Sequence, residues 1–321
     1  SLTSLGSVVA NLVLKAALID HGARRAERAF AKHDVEVTAV ALAEDSNSRV
    51  MQALELYVAA EAARARADVT AQAMERMNHF AYIMRERVNA GISDRADLQV
   101  VTQKQDHLAA DMASDRETAA SAMRELQAMA AVPVTGLTGL SPLASPSLTA
   151  EALSVMRARA ESARAVASAR AAQAGLLPGV SLGGSVGTDG TDFAVNAGSD
   201  GIGLGIGANM RAIEAEEQAA AARVGAEREA AERAIAALEG RLQSLRRQHA
   251  EAVRLARQAT ENYELFAEQQ RAGQRGVTEV VGVFETKIRA DRTAVGLRYD
   301  IVLAELSIAE RLGLLVDGDK M

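Results

Sequence analysis

Two short stretches hold the residue types best placed to do electrostatic work, and they are copies of one pattern. Ala90-Gly91-Ile92-Ser93-Asp94-Arg95-Ala96-Asp97-Leu98 aligns with Ala272-Gly273-Gln274-Arg275-Gly276-Val277-Thr278-Glu279-Val280. Each has an Ala-Gly pair, an acid six positions after the glycine, and then an aliphatic residue. A glycine here ends one helix, and Ser93 or Asp94 supplies a side-chain oxygen to cap the next. Asp97 and Glu279 then fall in a first helical turn, where a carboxylate meets the positive end of the helix dipole. Arg275 can grip a carboxylate through two parallel bonds, which makes its pairing directional. A tyrosine precedes each copy, Tyr82 and Tyr263. The interval of about 182 residues is too long for a solenoid unit and reads as a duplicated half-molecule.

Other chemistry fails on context. Gly203-Leu204-Gly205-Ile206-Gly207-Ala208 fits the dinucleotide fingerprint G-x-G-x-x-A. The helix after it runs for about 60 residues, and no strand with a ribose-binding acid follows about 20 residues on. A strand with inward-facing glycines accounts for the pattern better. The five histidines (His21, His33, His79, His107, His249) lack H-E-x-x-H or any paired ligand spacing. No nucleophile–base arrangement is readable, and the absence of cysteine removes disulfides, thiolate catalysis and Cys-ligated zinc. Catalytic, cofactor-binding and metal sites are therefore expected to be none, and the chain is not read as an enzyme.

Composition points the same way. Of the 321 residues 49% are apolar, but Ala dominates them, aromatics are 3% and Trp is absent. Such a sequence suits long helices packed closely rather than a core of large side chains. A net charge of −6 argues against a nucleic-acid partner, which calls for a basic face. No apolar run reaches the ~18–20 residues of a membrane-spanning helix.

The elements that must position the turns follow from periodicity. Residues 4–20 alternate and read as a strand. From 23 to 89 there is no proline, giving about 67 residues or ~100 Å of helix. A second helix runs to about residue 131, before a linker marked by Pro133, Gly136, Gly139, Pro142 and Pro146. A helix over 148–174 follows, then a strand over 177–187 with one apolar and one small or polar face, a loop over 188–200, and a strand over 202–208. A helix over 211–272 and another over 277–315 complete the chain. The two short helices together match one long helix in length, so stacked end to end they fit a bundle of constant height. The same element count predicts a helix and a strand of about 50 residues ahead of Ser1. The expected organisation is a first repeat over 1–147 and a second over 148–321, with the sheet part at about 4–20 and 177–209.

Strand, long helix, glycine turn and helix, duplicated, resembles the TolC-like outer-membrane efflux and type I secretion channels. The sharpest match is Ala272-Gly273-Gln274-Arg275 with Val277, Glu279, Val280, Ala290, Tyr299 and Leu312-Gly313-Leu314-Leu315. Ala90-Gly91 through Leu98 is similar to the first-repeat turn, and Leu18-Ile19-Asp20-His21-Gly22-Ala23-Arg24 to the strand-to-helix junction. The resemblance implies a mainly α fold: a long antiparallel helical barrel of coiled-coil hairpins, joined to strands of a trimeric transmembrane β-barrel. It implies a homotrimer in the outer membrane of a Gram-negative cell, in contact with outer-membrane lipid and extending into the periplasm. It further implies a periplasmic adaptor and an inner-membrane ABC or RND pump as partners, for a passive, gated exit duct.

For the residues, the resemblance implies that Arg275 bridges to acids of neighbouring helices, with Asp97 the matching first-repeat acid, and that Glu279 belongs to an inward acidic ring. Gly282 replaces that ring's second acid, which weakens any cation preference. Gln270 stands where the family usually has a tyrosine. The tips for adaptor docking are Gly91, Ser93, Asp94, Gly273, Gln274 and Gly276. A different reading of the same helices is a coiled-coil structural or adaptor protein of the cell envelope whose Gly-rich middle is only a linker.

Overall fold

The computed structural model describes residues 12–19, 23–134, 136–141, 150–176, 179–187, 190–198 and 206–316. In chain order they form β1 (Leu12–Ile19), α1 (Ala23–Asn89), α2 (Arg95–Met129), α3 (Leu153–Leu176), β2 (Gly179–Gly187), β3 (Gly190–Gly198), α4 (Ile206–Arg271) and α5 (Val277–Arg311). Among the described residues no helix is long and apolar enough to cross a membrane.

The strands make one antiparallel sheet in the order β1-β2-β3. Leu12 pairs with Val186 and Ala17 with Ser181, after which the register shifts before Ile19. Along the second pair, Gly179 faces Gly198 and Gly187 faces Gly190. Two expectations are corrected here. The segment expected as a loop over 188–200 contains β3: Thr191, Phe193 and Val195 are strand formers at alternate positions, and β2 supplies backbone partners. The strand expected over 202–208 is not one from Ile206 onward, because Ile206, Gly207 and Ala208 open α4; residues 202–205 lie outside the described part. Extending a long helix by one turn needs no new nucleus, and a single glycine costs only about 1 kcal/mol, too little to stop it. The Gly-rich middle is thus a paired hairpin rather than a mere linker.

The chain divides into two compact units, one of Ser1–Glu44 with Glu151–Glu232, the other of Asp45–Ala150 with Arg233–Met321. In the first, the start of α1, α3 and the start of α4 meet over small side chains such as Ala160, Ala167 and Ala220. Arginines of α3 hold its neighbours at the surface: Arg164 reaches Asp34 at 2.8 Å, Arg157 reaches Glu44 at 3.0 Å and Arg170 reaches Glu217 at 2.6 Å.

The second unit has the larger side chains. One cluster unites Met77, Met84, Val101, Leu108, Val281 and Phe284 from α1, α2 and α5. Another joins Met51 and Val58 to Tyr299, Leu306 and Leu315. The segment expected as a linker is fastened along part of its length. Gly139 donates its backbone N–H to Glu61 at 2.7 Å, its carbonyl accepts the Tyr57 hydroxyl at 2.7 Å, and Leu140 packs into the second cluster. Gly136 and Gly139 adopt positive φ, 90° and 80°, which lets the strap turn sharply enough to lie on α1.

Candidate functional site: the paired helix turns

Both duplicated turns belong to the second unit, and the cluster behind them is shared. Leu98 and Val101 of α2, Tyr263 of α4, and Val277 and Val281 of α5 all pack into it, with the Tyr263 and Phe284 rings 4.8 Å apart. The tyrosines expected as equivalents differ. Tyr263 is part of this core, and burial pushes its hydroxyl pKa up, whereas Tyr82 is exposed.

The two turns close in the same way. Gly91 at φ 70° donates to the Val88 carbonyl at 3.0 Å, and Ile92 donates to Arg87 at 2.8 Å. Gly273 at φ 75° donates to Gln270 at 2.9 Å, and Gln274 donates to Gln269 at 2.8 Å. This pair of bonds satisfies the last carbonyls of a helix and needs a left-handed residue at the glycine position.

Each turn is then cross-braced by a polar pair whose donor and acceptor are exchanged between the copies. In the first, Arg87 Nε donates to Ser93 Oγ at 3.0 Å. In the second, Arg275 Nε donates to Gln269 Oε1 at 3.0 Å. Arg87 and Gln269 were not expected as site residues; carrying the alignment of the two copies three residues further upstream sets them opposite each other.

The caps diverge too. Asp94 is the N-cap of α2, and its carboxylate accepts from the Ala96 N–H at 3.2 Å. Gly276 holds the same place before α5 but has no side chain, so Glu279 reaches back and accepts the Gly276 N–H at 3.0 Å. Glu279 also accepts from Arg275 Nη1 at 2.9 Å. The Gly276 N–H first, and Arg275 second, hold its carboxyl below the usual carboxylate range. Arg275 is further seated over the Phe266 ring, 4.5 Å from its centroid. The structure therefore brings Arg275 together with Glu279 and Gln269, and not with Asp97. Among the described residues Asp97 has no hydrogen-bond or ion-pair partner.

Deeper in the same unit lies a charge network that no motif announced. Asp115 of α2 is only 6% exposed. It accepts from Arg66 of α1 at 3.1 Å and from Arg292 of α5 at 2.6 Å, and Arg292 also donates to Thr70 at 2.6 Å. Three helices are thus pinned through one carboxylate. The i, i+4 step from Arg66 to Thr70 was readable, but nothing local marks Asp115 as their partner.

No protein-family model and no curated protein matches the sequence. Solved structures do match by fold. The outer membrane protein VceC of Vibrio cholerae aligns with a TM-score of 0.76 at 16% identity, over 95% of this chain and 79% of that one. The CmeC outer membrane channel of Campylobacter jejuni gives 0.73 at 14%, over 94% and 70%. The open state of the MtrE outer membrane channel of Neisseria gonorrhoeae gives 0.70 at 14%, over 98% and 80%. The chain has the fold of these channels.

Proposed function

We propose that this chain is one protomer of a passive, gated exit duct in the outer membrane, serving a tripartite efflux or type I secretion system. The observation that carries the proposal is the fold shared with outer membrane channels across nearly the whole chain. The sheet supports it. β1 and β3 are its outer strands, and among the described residues no strand pairs with their outer edges; such edges are templates for pairing with other copies. Copies around a threefold axis would complete a barrel, with the helices extending into the periplasm of a Gram-negative cell. The matching turns, closed by the same two backbone bonds, support 1–147 and 148–321 as structural repeats.

In this reading the turns are the periplasmic tips. Gly91, Ser93, Asp94, Gly273, Gln274 and Gly276 form the surface offered to an adaptor protein, itself linked to an ABC or RND pump. Arg275 is already oriented by Glu279, Gln269 and Phe266, which leaves Asp97 as the acid able to accept a cation from a neighbouring protomer. Exposed ion pairs are worth only about 0–1 kcal/mol each, so a gate held by them opens when a partner repacks the helix tips. The experiment is conductance of the purified full chain in planar bilayers. Wild type should give small, long-lived steps, and the double change Asp97→Ala with Arg275→Ala should enlarge them. Absence of any steps from folded protein rejects the duct; identical steps from the variant reject the gate.

A further inference from the structure

Behind the second turn lies a partly open cavity of about 580 Å³, lined by α1, α4 and α5 within the second unit. Its volume is that of a small-molecule site. The floor is apolar and aromatic: Met77, Phe80, Tyr263, Val281 and Phe284, with Phe284 only 1% exposed. The rim is cationic, since Arg76, Arg87 and Arg271 line it against the single acid Glu75. Gln270 also lines it. That side chain is 8% exposed and, among the described residues, has no hydrogen-bond partner. Its amide keeps some access to solvent, so its donors and acceptor are available to a polar group placed in the cavity.

We infer that this cavity is a binding site for an aromatic organic anion, with its ring on the Phe80–Tyr263–Phe284 floor, its charge at the rim arginines and a polar atom at Gln270. The two halves of the site select together. Apolar surface alone would accept any greasy molecule, whereas the excess of guanidinium groups favours a carboxylate or sulfonate over a neutral or cationic ring. Arg87 gives the site a second consequence, because the same side chain donates to Ser93 across the first turn. An anion that turns the Arg87 fork toward the cavity draws Nε away from Ser93, and occupancy then loosens the brace of the Gly91 turn.

The test is titration of the full chain in detergent with 1-naphthoate, followed by calorimetry, beside the neutral isostere 1-naphthalenemethanol and the cation 1-naphthylmethylammonium. One naphthoate per protomer is expected, bound at least about tenfold more tightly than either isostere, a difference of ~1.4 kcal/mol. Arg271→Gln, an exposed change, should remove most of that preference, and Gln270→Phe should fill the cavity and abolish binding while helix content stays constant. Naphthoate should also raise amide exchange at residues 91–94. Equal uptake of all three probes, or uptake that never saturates, means partition into detergent and overturns the site. So does a Gln270→Phe variant that binds naphthoate as wild type does. If Arg271→Gln splits the oligomer and leaves binding per protomer unchanged, the rim belongs to a subunit interface and the inference is likewise overturned. Conductance is not used here, so failure of this site and failure of the duct reading remain distinguishable.

Discussion

Asp115 sits between two guanidinium groups, and its removal leaves both without their anion inside the helix bundle. The carboxylate side chain is 9% exposed, and those of Arg66 and Arg292 are 29% and 23%, so solvent screens the network little. Breaking a buried pair on one side costs about 3–5 kcal/mol, mostly through the uncompensated charge. Asp115→Asn is therefore expected to lower the stability of the second unit by roughly 3 kcal/mol, read as a drop in the urea midpoint. Adding Arg292→Met to the same chain should recover part of the loss; a double variant worse than the sum of the singles would contradict this account. Glu279 sets a pH dependence of definite sign. Its pKa is depressed in the folded chain, so its support of the α5 start is complete above the ordinary carboxylate range. That support fades as pH falls through the lowered value. Amide protection of residues 274–281, corrected for intrinsic exchange, should thus decline in acid, and Glu279→Gln should flatten the profile. An acid decline that survives in the variant assigns it to another group.

The turns show which features of an element sequence can announce. Glycine in a run without other breakers, followed six residues on by an acid, places both turns because each signal is local and each has one physical cause. A Cβ built at Gly91 or Gly273 meets nothing within 4 Å, so the constraint there is the positive φ alone. Gly91→Ala and Gly273→Ala should each cost about 1 kcal/mol in thermal unfolding of the second unit, and Asn at the same positions distinctly less. Equal losses for Ala and Asn would point to a steric cause instead. What stayed hidden is cooperative or distant. Gly207 lies in a run whose alternation imitates a strand, and only the long helix beyond it explains why Ile206 is helical. β3 looked like a loop because Thr191, Phe193 and Val195 are diluted by Gly, Asp and Asn, and its pairing comes from β2, not from its own composition. The first-turn position of Glu279 marks it as a partner of the helix dipole, and only the missing side chain at Gly276 makes it the cap as well. Asp115 looked like any surface acid of a helix, since its partners lie 49 and 177 residues away in sequence.

For the whole molecule, the question is which part of the fold stands without other copies. The second unit has its own clusters of large side chains and the Asp115 network, so its core is built from its own helices. The sheet is different: three strands of eight or nine residues, whose outer backbone groups on β1 and β3 find no strand among the described residues. An unpaired strand edge in water is a template for another chain, and open edges are tolerated in a bilayer only when closed by pairing. Stability should therefore divide along this line. The full chain in detergent should sediment as three protomers. Dilution that releases monomers should abolish amide protection across 179–187 and 190–198 while leaving 77–84 and 101–108 protected. Hydrogen exchange followed by mass spectrometry reads both regions in one experiment. A monomer whose strands stay protected would mean that the sheet is satisfied within one chain, and the threefold assembly would lose its physical cause.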